Sequence, residues 1–145
     1  MKPRNLDEVR KEVEAMKDSK GEPVDEKIKD LVIGLRRWGI KTEFSCEGHL
    51  DHGLPYPWID ILRGNLEDVS RILGVWWSGK DTQLPADDNP RWVIRVAATV
   101  RLIPEHKDIT PLQILQEEAV AFGKFLQKIP SDYFKRKSPG RSEAT

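Results

Sequence analysis

Between Arg91 and Ile103 the chain alternates between two faces, one residue at a time. Trp92, Ile94, Val96, Ala98, Val100 and Leu102 fall on one side; Arg91, Val93, Arg95, Ala97, Thr99 and Arg101 fall on the other. A period of two belongs to a half-buried β-strand, because successive side chains leave opposite faces of the pleat. The pattern predicts a strand over 91–103 that bends or bulges near Ala97-Ala98. Two shorter stretches carry the same period, near 41–46 and near 57–62. In the first, Ile40, Thr42, Phe44 and Cys46 share one face, and the alternation predicts that Phe44 and Cys46 point inward. In the second, Ile59 and Ile61 share one face and Trp58 and Asp60 the other. Pro57 can open this strand but could not donate from its middle.

Elsewhere the apolar period is helical. Leu6, Val9, Val13 and Met16 stripe a helix from about Leu6 to Lys17, with Asn5 as N-cap and Glu8 three residues on. Ile28, Leu31, Val32, Leu35 and Trp38 stripe a second over 24–38, with Pro23 as first helical residue and Gly39 at the C-terminal stop. Asn65 is placed to cap a third from Leu66 to about Leu73. Thr110-Pro111, with Gln113, opens a fourth over 111–129, whose apolar side is Leu112, Leu115, Ala119, Phe122, Leu126 and Ile129. Trp76 and Trp77 are adjacent and cannot both face a core from one helix. Ser78 to Pro90 is polar and predicts an exposed excursion.

Close-set amphipathic strands among capped helices predict an α+β fold, with a small, mainly antiparallel sheet of three to four strands and helices packed on one face. One domain is expected over 1–130, followed by a flexible basic C-terminal tail over 131–145 that carries Lys135, Arg136, Lys137 and Arg141.

At 145 residues the chain can close a core without disulfide or metal. Its one cysteine, Cys46, excludes an internal disulfide, and no apolar run approaches the ~20 residues of a membrane span. A charged start leads to no apolar signal core, so a cytoplasmic location without export is expected. The 24 basic and 24 acidic residues balance, which argues against broad nucleic-acid binding by phosphate neutralisation.

Chemistry concentrates at Ser45-Cys46-Glu47-Gly48-His49. Cys46, His49 and His52 fall at C-x-x-H-x-x-H, and a thiolate with two imidazoles is a zinc-ligand set; the more ordinary fate of such a cysteine is a small buried hydrophobe, with no cofactor. A nucleophilic Cys46 would need an imidazole such as His49 beside it, with Asp51 or Asp60 as candidates to orient that imidazole. The outer sheet face offers another arrangement. Glu43, Ser45, Trp58, Asp60, Arg95, Thr99 and Arg101 can share one surface, either pairing across strands or holding a small polar ligand. The candidate pocket is therefore Ser45, Cys46, Glu47, His49, Trp58, Asp60 and Arg95. His49 is expected to turn back through Gly48 toward Asp60, with Trp58 as an apolar floor. Two functions follow: a module that binds a small polar ligand or a protein without reaction, or an enzyme on a nucleotide or RNA using Cys46 or His49 with Glu47 or Asp60.

The run Gly39-Ile40-Lys41-Thr42-Glu43-Phe44-Ser45-Cys46-Glu47-Gly48-His49, followed by Pro55-Tyr56-Pro57-Trp58, resembles a segment of small uncharacterised bacterial and phage proteins. The resemblance spans about a third of the chain and implies no known activity; it marks Ser45 to His49 as one structural unit. Ser45-Cys46-Glu47-Gly48 is also loosely similar to a stretch of the wybutosine-synthesis methyltransferase-like family, whose members act on transfer RNA. That likeness stops at the short stretch, and no activity is carried over from it.

Overall fold

The computed structural model describes residues 1–78 and 90–136. Its elements run α1 (Leu6–Ala15), α2 (Glu26–Arg37), β1 (Thr42–Cys46), β2 (Trp58–Ile61), a 3-10 turn (Arg63–Asn65), α3 (Leu66–Ser78), β3 (Trp92–Val96), β4 (Val100–Pro104), α4 (Leu112–Lys128) and the short α5 (Tyr133–Arg136). The strands form one open antiparallel sheet in the order β1-β2-β4-β3. This is the expected α+β class. No helix among the described residues is long and apolar enough to cross a membrane. The excursion predicted at 78–90 lies almost wholly outside the described residues.

The long strand predicted over 91–103 is a hairpin. Val96 pairs with Val100, and the chain reverses through Ala97-Ala98-Thr99 with a 3.0 Å bond from Ala97 N to Thr99 O. Alternation persists across the turn, which hides it from a period count. An unbroken strand there would span roughly 40 Å, while the inward positions at its centre offer only the methyl group of Ala98. Arg63 braces the turn by donating to Ala97 O at 2.9 Å.

A second departure decides the site. Thr42 pairs with Ile61 and Phe44 with Asp60, so Glu43 is an extra residue in β1. Such a bulge reverses the phase of every later side chain. Thr42 stays buried toward the helices, whereas Phe44 and Cys46 leave from the outer face, opposite Asp60 and Trp58; Phe44 is 67% exposed. The inward Phe44 and Cys46 expected from simple alternation are thereby corrected.

The core lies between the sheet's inner face, Ile59, Ile61, Trp92, Val100 and Leu102, and the helices, which supply Leu31, Leu35, Ile72, Ala119, Phe122 and Leu126. Helices α2 and α4 approach closely at two glycines. A Cβ on Gly34 would meet Leu126 Cβ at 2.8 Å, and one on Gly123 would meet Asp30 O at 2.5 Å. Arg37 closes the end of α4 by donating to Leu126 O and Ile129 O, each at 2.8 Å. Of the adjacent tryptophans, Trp76 is buried and stacks on Phe122 at 4.8 Å, while Trp77 is 37% exposed. A smaller cluster of Tyr56, Ile103 and Leu115, with Leu54, Trp58 and Val93 against it, closes the end where β2 begins and β4 ends.

Helix ends follow the sequence in part. Asn5 caps α1 through a 3.0 Å bond from Glu8 N, and Gly39 takes φ 80° after α2. Pro23 does not open α2; it bridges to Lys17, and Asp25 is the N-cap. Asn65 sits in the 3-10 turn, where its side chain accepts from Lys41 N at 2.9 Å, and Pro111 precedes α4 with no side-chain cap. The first residues of the expected tail are packed into the fold, because Tyr133 and Phe134 are buried and Phe134 meets Trp38 edge-on at 4.9 Å. Residues 137–145 lie outside the described residues.

Candidate functional site

The turn after β1 is bound to the start of α2 by a reciprocal pair of bonds. Asp25 accepts from Glu47 N at 3.0 Å, and Glu47 accepts from Lys27 N at 3.0 Å. The helix cap is thus supplied across the fold, and Glu47 satisfies an N–H that the helix leaves unpaired. Gln116 of α4 donates to Glu47 O at 3.1 Å, and His49 N donates to Leu54 O at 3.0 Å. Gly48 lies at φ 90°, where a Cβ would stand 2.7 Å from the Tyr56 backbone and 2.8 Å from Leu112. Only glycine fits there, on both conformation and space.

This arrangement brings Asp25, Cys46 and His49 together. His49 Nε2 is 3.9 Å from Asp25 Oδ2, and Gly48 N lies 3.4 Å from Cys46 Sγ. His49 does not reach for Asp60, as its expected return to the sheet supposed. It turns to Asp25, and it stacks on His52 at 4.2 Å. His52 in turn pairs with Asp51 at 2.8 Å, an exposed contact that holds the Asp51 carboxyl below its ordinary range. Among the described residues, two donor sets have all their atoms within 4.8 Å: Asp25, Cys46 and His49, and the more exposed His49, Asp51 and His52. The C-x-x-H-x-x-H trio of Cys46, His49 and His52 is split between them.

Asp60 is occupied. It is 3% exposed and takes a two-pronged bond from Arg101, Nε to Oδ1 at 2.7 Å and Nη2 to Oδ2 at 3.1 Å. The Arg101 guanidinium also lies 4.0 Å above the Trp58 ring, which supplies the cover an outward tryptophan wants. Arg95 is exposed, in register with Arg101. Glu43 stands exposed at the bulge, and Thr99 Oγ1 lies 3.4 Å from Asp60 Oδ1. Ser45, which alternation placed outward, pairs with Ile59 on the inner phase, because the bulge precedes it.

A cleft of about 810 Å³ opens between β1 and the segment joining α1 to α2. Met16, Val24, Phe44, Leu54 and Trp58 give it apolar wall; Asp25, Cys46, His49, His52 and Arg101 give it polar atoms. Ser45 and Glu43 also line it, whereas Glu47, Asp60 and Arg95 do not. Asp25 and Phe44 are the residues that sequence reasoning missed as site members. Asp25 fell inside the helix expected over 24–38 and is in fact its N-cap, and Phe44 was masked by the bulge. A smaller hollow of about 500 Å³ beside Arg4, Glu12 and Arg36 is spoken for. Its polar atoms bond one another, with Arg36 on Glu12 at 3.0 Å and on Thr42 O at 2.7 Å.

Burial pushes the Cys46 thiol above its ordinary value; the Gly48 N–H opposes this, and the charges of Asp25 and Glu47 reinforce it. A nucleophilic cysteine needs the opposite environment. In the metal-free chain Cys46 is therefore expected to react with an aromatic disulfide reagent more slowly than glutathione at neutral pH. Its rate should keep rising with pH beyond the point where glutathione levels off. A rate matching glutathione's at pH 7 would contradict this.

No family model, no curated protein and no solved structure matches the chain.

Proposed function

We propose that this chain is a binding domain, and that its ligand is a small molecule with an apolar, planar body and hydrogen-bond-donating or cationic groups. The observation that carries this is the cleft beside β1, where a 67% exposed Phe44 stands with other apolar side chains and four carboxylates. Its volume of about 810 Å³ is in the usual range for small-molecule sites. Asp18, Glu22, Asp25 and Glu43 line it against Lys17 and Arg101, and Arg101 is already paired with Asp60. Such a wall favours a donor or a cation and repels phosphate. The same charge, together with the raised thiol, speaks against a nucleotide- or RNA-processing enzyme built on Cys46 and His49.

Titration of isotope-labelled protein with tryptamine, and separately with AMP, tests the proposal by NMR. Tryptamine is expected to shift the signals of Phe44, Cys46, His49 and the Trp58 indole saturably, and Phe44→Ala is expected to weaken the response. AMP is expected to leave these signals in place. Shifts caused by AMP and not by tryptamine, or no response at these residues to either, would refute it.

A further inference from the structure

Three side chains of different chemistry meet where β1 ends against the start of α2. We propose that Asp25, Cys46 and His49 form a binding site for a transition-metal dication, zinc by preference. Their donor atoms all lie within 4.8 Å of one another. In a tetrahedral zinc site, ligand atoms about 2.0–2.3 Å from the metal stand roughly 3.3–3.8 Å apart. His49 Nε2 and Asp25 Oδ2, at 3.9 Å, are close to that spacing already. Sulfur, imidazole and carboxylate together suit zinc, whereas magnesium and calcium take oxygen ligands.

The three ligands come from elements tied together by other bonds. Glu47 N and Asp25 Oδ2 join the turn to the helix, Gly48 N–H points at the Cys46 sulfur, and His49 N is fixed to Leu54 O. Bonds of this kind orient metal ligands before the metal arrives. All three residues also line the cleft. Three protein ligands leave a fourth position for water or for a donor atom of a bound molecule. The rival set, His49, Asp51 and His52, shares His49 and contains no sulfur. The thiol therefore separates the two sites. The metal would share Asp25, Cys46 and His49 with the cleft, so the organic titration is made on metal-free protein and the metal titration without organic ligand, and each result is read on its own.

The experiment is a titration of the full chain with cobalt(II), read by absorbance, and with zinc(II), read by calorimetry. The expected result is a single tight equivalent of zinc and a near-ultraviolet sulfur-to-cobalt charge-transfer band. Cys46→Ser, close to isosteric, is expected to abolish the band and weaken zinc roughly ten-fold or more. His52→Ala is expected to retain both. Absence of the band at saturating cobalt overturns the proposal in the unaltered chain, whatever the variants' folding. Zinc affinity that survives Cys46→Ser and is lost in His52→Ala overturns it in favour of the exposed set.

Discussion

Gly123→Ala is expected to lower stability by about 3 kcal/mol or more, a large fraction of what holds a domain of this size together. Alanine in a helix interior is normally worth about 1 kcal/mol over glycine. Here that gain is overwhelmed. A Cβ at Gly123 would stand 2.5 Å from Asp30 O and closer still to the Asp30 carbonyl carbon and Leu31 N. These are backbone atoms of α2 and have no rotamer to change. Relief requires moving α2 and α4 apart, which would loosen the buried Leu31, Leu35, Phe122 and Leu126. Gly74→Ala is the internal control, since nothing lies within 4 Å of a Cβ at Gly74 in α3. It is expected to be neutral or stabilising by up to about 1 kcal/mol. Urea unfolding of both variants measures the contrast, and a Gly123→Ala midpoint equal to that of the parent would refute the close-crossing account.

The second large effect concerns the buried carboxylate. Arg101→Met is expected to cost about 3–5 kcal/mol, because it strands Asp60 at 3% exposure without its two-pronged partner. Domain stabilities are only about 5–15 kcal/mol, so the loss is a large fraction of the whole. The pair itself is a different matter. Its attraction is offset by the cost of taking two charges from water, so the double change Asp60→Val with Arg101→Met is expected to recover most of the loss. A double-mutant cycle by chemical denaturation reads this directly. If Arg101→Met unfolds within about 0.5 kcal/mol of the parent, Asp60 is hydrated and the pair carries no such weight. Loss of Arg101 also uncovers Trp58, so a shift in tryptophan emission is expected in the same variant.

The local periods carried most of the architecture. A helical stripe in α2 and α4, alternation in β2 and through β3 and β4, the Asn5 cap and the Gly39 stop are each properties of a few neighbouring residues, and each appears in the fold. The same locality explains the failures. A hairpin whose turn preserves alternation reads as one strand, as at Ala97 to Thr99. A one-residue bulge leaves composition untouched yet turns Phe44 and Cys46 from the inner face to the outer. Tyr133 and Phe134 stand near charged residues in the sequence, and their burial comes from tertiary packing, with Phe134 edge-on to Trp38 and Tyr133 against Phe134.

The site shows the same division. The run Ser45 to His49 marked itself through its residue types, and Gly48 through the turn it permits. Asp25 could not be assigned to it in advance, because it stands 20 positions or more away along the chain and reaches Glu47 N only once α2 docks beside β1. Asp60 looked like a partner for His49 until β4 brought Arg101 alongside, a contact made across 41 positions. Short-range stereochemistry and the burial of apolar stripes are encoded in neighbouring residues. Which carboxylate meets which cation depends on strand pairing and helix docking, whose free energy is spread over the whole core.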